Sequence, residues 1–275
     1  MIPAARIDEA SHPMLIINSD NFGRSESVNR AIIKSFEAGL CSSTTLMATM
    51  PGFEEACSLA HDHGLRKQIG LHIVLRDGSP LTDGLKKFPR FCDRDGRLAP
   101  ESSPPVFALD ASERRALAEE IRAQIARCRT NGIPLSHLDS HYHLHNLWPI
   151  LGVVIAVAHS EHVPYVRLAR NWGPGSTLRK RAYKAAVNRK LRRACLSRTK
   201  YFGTIEDFIF RKEKRGSIEE RSSFEVMIHP VFHGKGFVVD AGEDEPLENR
   251  IKDVETFREA VSFSGAKYLR GVSAM

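Results

Sequence analysis

The sequence predicts an α/β chain built on a parallel sheet. Short apolar runs of strand length alternate with helical stretches of ten or more residues, the pattern of repeated β-α units. The best runs, Met14 to Asn18 (MLIIN) and Gln68 to Leu75 (QIGLHIVL), are almost continuously apolar, as strands covered on both faces are. Polar residues able to do chemistry sit where these runs end, which is where parallel α/β sheets place their sites.

Each element follows from local pattern. After the strand Met14 to Asn18, Ser25 or Ser27 can cap a helix whose apolar positions Val28, Ala31, Ile32 and Phe36 keep the helical period, with Gly39 as its stop. Ser43 to Met47 is a second strand, and Phe53 to His63 a helix ending at Gly64. Gln68 to Leu75 is the next strand. Arg76 to Leu109, rich in Pro and Gly, reads as a long loop, a candidate lid. Asp110 with Glu113 forms a capping box for a helix over Ala111 to Asn131, closed by Gly132 and Pro134. Leu135 to Ser140 is a strand, Pro149 suits the first turn of an apolar helix ending near His159, and Tyr165 to Leu168 is a further strand. Phe224 to Ile228 (strand), Leu247 to Val261 (helix) and Lys267 to Arg270 (strand) complete the reading. With 275 residues and no internal repeat or linker, the whole of 1–275 reads as one domain carrying a basic helical insertion at about 174–200.

Composition excludes several classes. The longest apolar helical run, Trp148 to Ala158, is too short for a bilayer, which takes ~20 residues. Met1 to Pro13 has no apolar block and does not read as a signal peptide. Five cysteines without a Cys-x-x-Cys pair fit small buried side chains in a reducing cytoplasm. Phosphate-cradling glycine motifs and the Gly-x-Ser-x-Gly elbow are absent. The net charge of +7 is local: His162 to Ile205 holds twelve Lys/Arg and no acid, so removing these from the 40 basic residues leaves 28 against 33 acids. Within it, Leu178 to Lys200 reads as a helix with one apolar face. Its basic remainder suits a solvated surface or an anionic membrane surface, with peripheral association at the inner membrane face. Nucleic acid is disfavoured, because no aromatic interleaving accompanies the charge. A homodimer is left open.

The densest chemical signal is Ser136 to His145 (SHLDSHYHLH). In an extended backbone His137, Asp139, His141, His143 and His145 would share one face. Imidazoles with a carboxylate to orient them suit a borderline cation such as Zn²⁺. His72, alone, reads as a core histidine, but together with His141 across a sheet it reads as a ligand. Asp20 is a helix cap or a site carboxylate. His229, before Pro230, is a ligand, an acid or a structural group.

Five motifs in order then carry a resemblance: Leu15 to Gly23 (LIINSDNFG) with Ser25-x-x-Val28-Asn29, Ser43 to Met47 (STTLM), Ile69 to Leu75 (IGLHIVL) with Asp77 to Leu81 (DGSPL), His137 to His145 (HLDSHYHLH) and Met227 to Pro230 (MIHP). Together they resemble the YdjC-like carbohydrate deacetylases, a family that includes chitooligosaccharide and hopanoid-biosynthesis-associated deacetylases. The resemblance implies a distorted (β/α) barrel of the NodB-like deacetylase type, one divalent metal ion (Mg²⁺ or Zn²⁺), and hydrolysis of the N-acetyl group of an amino sugar, oligosaccharide or lipid-linked. It implies His72 and His141 as metal ligands and Asp20 as general base. Asn21 stands where the family motif has a second Asp; it keeps an oxygen for the metal but not the charge, which leaves a sugar-binding relative with impaired catalysis as the alternative. His229 is then the acid for the leaving amine, Asp139 orients a ligand histidine, and His143 and His145 lie behind the ligands or touch substrate.

Overall fold

The computed structural model describes residues 14–98, 108–174, 177–215, 222–234 and 236–255. In chain order the elements are β1 (Met14–Phe22), α1 (Glu26–Glu37), β2 (Ser43–Leu46), α2 (Phe53–Asp62), β3 (Ile69–Ile73), α3 (Asp83–Lys86), α4 (Ala111–Thr130), β4 (Leu138–Ser140), α5 (Trp148–Ser160), α6 (Leu178–Arg193), β5 (Tyr201–Thr204), α7 (Ile205–Arg215), β6 (Ser223–Ile228), β7 (Pro230–Phe232), β8 (Val238–Asp240) and α8 (Leu247–Glu255).

Six strands form one parallel sheet in the order β4-β3-β2-β1-β6-β5. The gap between β4 and β5 is spanned by 165–171. Leu138 N–H donates to the Tyr165 carbonyl at 2.8 Å and Arg167 N–H to the Leu138 carbonyl at 2.9 Å, while Asn171 N–H donates to the Phe202 carbonyl at 3.2 Å. Read around, the staves follow chain order, so the sheet curls into the distorted (β/α) barrel that the resemblance implied. The segment expected as a strand at Tyr165 to Leu168 makes a single parallel bridge, Leu138 to Val166, and is otherwise irregular.

Local chemistry explains the elements. Ser25 caps α1 by accepting from Val28 N–H, and Asp110 and Glu113 form the reciprocal capping box of α4. Pro149 sits in the first turn of α5, where a missing N–H costs nothing. The helices cover the sheet through Ile32, Phe36, Phe53, Leu117, Ile121 and Val154, all buried; each such side chain contributes ~1.5–3 kcal/mol relative to exposure. β1 is the central strand. Leu15 and Ile17 pack into this helix-side core, whereas Asn18 and Asp20 bond each other inside the barrel at 2.9 Å.

Five elements were not expected: β5 with α7, the antiparallel pair β7-β8 that follows His229, and the short α3 inside Arg76–Leu109. The strand expected at Lys267 to Arg270 and the last part of the helix expected to Val261 lie outside the described residues. Among the described residues, no helix is long and apolar enough to cross a membrane.

Candidate active site

The carboxyl ends of β1, β3, β4 and β6 open into a cleft of about 580 Å³, lined among others by Asp20, Asn21, His72, His141, His143 and His229. Its volume is in the range of small-ligand sites, ~300–1,000 Å³.

The floor of the cleft is a buried charge cluster. Arg167, from the irregular seventh stave, is 1% exposed and reaches three carboxylates. Its Nη1 and Nη2 donate to the two oxygens of Asp20 at 2.7 and 2.8 Å, Nη1 also lies 2.5 Å from Asp139, and Nε donates to Glu225 at 2.5 Å. Burial alone would raise the Asp20 carboxyl, but the two-pronged guanidinium outweighs it and holds the group well below the ordinary carboxylate range. Glu225 has only the edge of the guanidinium, and its Oε2 is buried with no hydrogen-bond partner among the described residues; burial pushes it up to about 7.

His72 on β3 and Asp139 on β4 stand at the same register position. His72 Nδ1 meets Asp139 Oδ1 at 2.7 Å, and Thr45 from β2 donates to Asp139 Oδ2 at 3.2 Å. If Nδ1 carries the proton, as this carboxylate requires, His72 Nε2 is left as a lone pair directed away from Asp139. The His141 ring lies with its centroid 5.5 Å from that of His72, tilted by 58°. His141 Nε2 contacts Asp77 Oδ2 at 3.3 Å. Burial, then the neighbouring His72, lowers His141 to about 4, so it is a neutral imidazole at neutral pH.

Asn21 completes the group. Its φ is +76°, a left-handed conformation that Asn tolerates better than most side chains, and its Oδ1 is buried with no hydrogen-bond partner among the described residues. Two imidazoles and an unpartnered amide oxygen lining the same cleft fit a divalent cation. Asp20, His72 and Asp139 also present atoms within 4.8 Å of one another. Asp20 and Asp139 are already committed to Arg167, however, so Asp139 serves as the orienting partner of His72 in this arrangement.

His229 follows β6 and is half-buried. Its Nε2 is 3.9 Å from Asp20 Oδ2 and its Nδ1 3.9 Å from Asp240 Oδ1, while its backbone N–H donates to Asp240 at 2.6 Å. His143 lines the cleft, its ring 5.8 Å from Phe202. His145 is fully buried, with Nδ1 on Ser140 Oγ at 2.7 Å, so it supports the turn and does not reach the cleft.

The single-face expectation for His137 to His145 is overturned. β4 ends at Ser140, and His141–Asn146 is a tight turn in which Tyr142 and His143 both have φ of +55°. The alternation of an extended chain stops there. His137 is buried against Gly70, where an added Cβ would come within 2.5 Å of its ring. The reading of single residues also missed Arg167, Asp77, Glu225 and Asp240. Asp77 lay inside one of the five motifs; Arg167 lay in the expected strand Tyr165 to Leu168, where its charge alone does not separate it from the exposed basic residues that follow.

Fold and site together define a (β/α)-barrel protein with a histidine–carboxylate cleft at the carboxyl ends of its strands. The chain belongs to the YdjC-like family, whose model matches residues 14–261. It is 37% identical over 150 residues to a carbohydrate deacetylase of Brevibacillus brevis, a match covering 54% of this chain and 57% of that protein. It is 36% identical over 157 residues to a carbohydrate deacetylase of Geobacillus stearothermophilus, covering 56% and 60%. These matches span less than two thirds of either relative. A carbohydrate deacetylase of Listeria welshimeri is 28% identical over 263 residues, 94% of this chain and 98% of that protein. A crystal structure from Enterococcus faecalis V583, provisionally described as a cellobiose-phosphate cleavage protein, superposes with a TM-score of 0.63 over 90% of this chain and 91% of that one, at 24% identity, which bears on the fold.

Proposed function

We propose that this protein removes the N-acetyl group from an acetylated amino sugar, with a divalent cation at its centre. The observation that carries this reading is the pairing of His72, oriented by Asp139 at 2.7 Å, with His141 at a ring separation of 5.5 Å, in the cleft that Asn21, with its unpartnered oxygen, also lines. His72, His141 and Asn21 would hold the ion, Mg²⁺ or Zn²⁺. When bound, such a cation polarises an amide carbonyl and lowers the pKa of water. The relatives' name, carbohydrate deacetylase, supports the substrate class.

The chain's own groups supply the rest. Asp20 stays ionised because Arg167 grips both of its oxygens, and it is the carboxylate that accepts the proton of the attacking water. His229, 3.9 Å from Asp20, is placed to give a proton to the leaving amine, with Asp240 behind it. Asp139 keeps His72 in one tautomer and orientation. His143 and the exposed Tyr142 border the cleft where sugar would lie.

A second reading, a sugar-binding relative with impaired catalysis, is favoured by two observations. Asn21 brings no charge to the cation, and the clamp on Asp20 makes that carboxylate a weak base. One experiment separates them: metal content of the purified protein, with acetate release from N-acetylated chito-oligosaccharides in Mg²⁺ or Zn²⁺. Acetate release with bound metal supports the hydrolase. Sugar binding without acetate release in either ion supports the binding relative.

A further inference from the structure

We propose that α6, together with the neighbouring Trp148, docks this protein onto an anionic lipid bilayer. α6 has Lys or Arg at eight of its sixteen positions and no carboxylate of its own. Among the described residues its buried contacts lie on one side. Val187, Asn188 and Leu191 are buried, and the Asn188 side-chain amide bonds both the N–H and the carbonyl of Ala169, at 2.7 and 2.9 Å. Arg179, Lys180, Arg181, Arg189 and Arg193 are exposed.

The charge is joined to exposed apolar and aromatic groups. Leu178 is 81% exposed, Trp148 46% and Tyr183 43%. Lys190 Nζ lies 4.6 Å from the centroid of the Trp148 ring. Tyr183 Oη accepts from the Trp148 N–H and donates to the Asn146 carbonyl, both at 2.9 Å. Asn146 ends the turn that carries His141 and His143, so this surface is continuous with one wall of the cleft.

Anionic headgroups attract clustered Lys and Arg, while Trp, Tyr and an exposed aliphatic side chain are at home at the headgroup–acyl boundary. Nucleic acid fits these observations less well. Base stacking needs an open ring face, and Lys190 lies over that of Trp148. Leu178 also offers nothing to a phosphate backbone. A cleft beside a bilayer would meet amino sugars carried on lipid; this last step rests on the deacetylase reading, whereas the docking does not.

The test is co-sedimentation of the full chain with vesicles of phosphatidylcholine alone and of phosphatidylcholine mixed with an equal part of phosphatidylglycerol. Partition is expected to be strong only for the anionic vesicles and to weaken with salt. Combining Arg179→Gln, Lys180→Gln, Arg181→Gln and Arg189→Gln, all at exposed positions, is expected to weaken it by about a hundredfold or more with an unchanged thermal midpoint. The chain has two tryptophans, and Trp172 is buried. A blue shift in emission on anionic vesicles is therefore expected to disappear in Trp148→Phe. Equal partition into neutral vesicles, or full binding by the fourfold variant, would overturn the proposal. So would tight binding of polyuridylate with no vesicle binding. Acetate release is not read in any arm, so the fate of the deacetylase reading is decided separately.

Discussion

His72 and Asp139 occupy opposed positions on adjacent parallel strands and close a hydrogen bond of 2.7 Å inside the barrel. Neither residue is more than 2% exposed. The bond therefore forms out of water, where it fixes one tautomer of the imidazole, and it joins β3 and β4 at the base of the cleft.

Asp139→Asn tests the orienting role. The amide cannot hold the His72 Nδ1 proton as the carboxylate does, so metal affinity is expected to fall about 10–100-fold. His72→Ala and His141→Ala are each expected to abolish metal retention. Titration calorimetry with Mg²⁺ and Zn²⁺ reads all three. Retention of full affinity by Asp139→Asn would show that the bond is only structural.

Asn21→Asp tests the missing charge. Asp tolerates the left-handed backbone at φ +76° nearly as well as Asn, so the fold should accept it. A charged oxygen in place of the neutral, unpartnered one is expected to raise metal affinity by at least tenfold, as ligand charge does at oxygen sites. Unchanged affinity would remove position 21 from the ligand set.

How much of this was legible in the sequence depends on whether the signal was local. The start of β1, the α4 capping box and the Pro149 helix start are written in runs of a few residues and appear where expected, although β1 runs past Asn18 to Phe22 and takes in Asp20 and Asn21. The motifs likewise pointed to the YdjC-like family and its barrel. What failed was anything set by the tertiary path. The parity argument for His137 to His145 assumed an extended chain, but two left-handed residues turn it after Ser140. Arg167 sits in the segment expected as the strand Tyr165 to Leu168, which makes only one bridge, and its burial follows from three carboxylates arriving from β1, β4 and β6. β5 is four residues long and contains a glycine, too short and too mixed to stand out.

Arg167→Met tests that cluster. Removing the guanidinium leaves Asp20, Asp139 and Glu225 buried together without a counter-charge, and the loss is expected to be about 3–5 kcal/mol. Arg167→Lys is expected to rescue little, because a single ammonium cannot reproduce the planar fork that serves three partners. Urea unfolding at neutral pH checks both. A methionine variant as stable as the parent would mean that the carboxylates neutralise themselves at small cost.

Stability is expected to fall on mild acidification, and the sign follows from the histidines. Burial lowers His137 and His145 to about 3 and His141 and His143 to about 4, from an ordinary 6.5. The unfolded chain thus takes up protons that the folded chain refuses. The stability these groups contribute is complete above pH 6.5 and is lost as pH falls towards 4, at up to ~1.4 kcal/mol per pH unit for each histidine. Glu225 works the other way. Raised to about 7 from 4.5, it favours the folded state below 4.5 and loses that contribution as pH rises to 7. Asp240, also raised by burial, acts with Glu225, and four histidines against these two carboxyls leave a net decline on acidification. Urea midpoints between pH 7 and 4, measured in chelator so that no cation holds His141, should follow this slope, and His143→Gln should flatten it by about one proton's worth. A flat profile across the window would show that the buried imidazoles take up protons in the folded state.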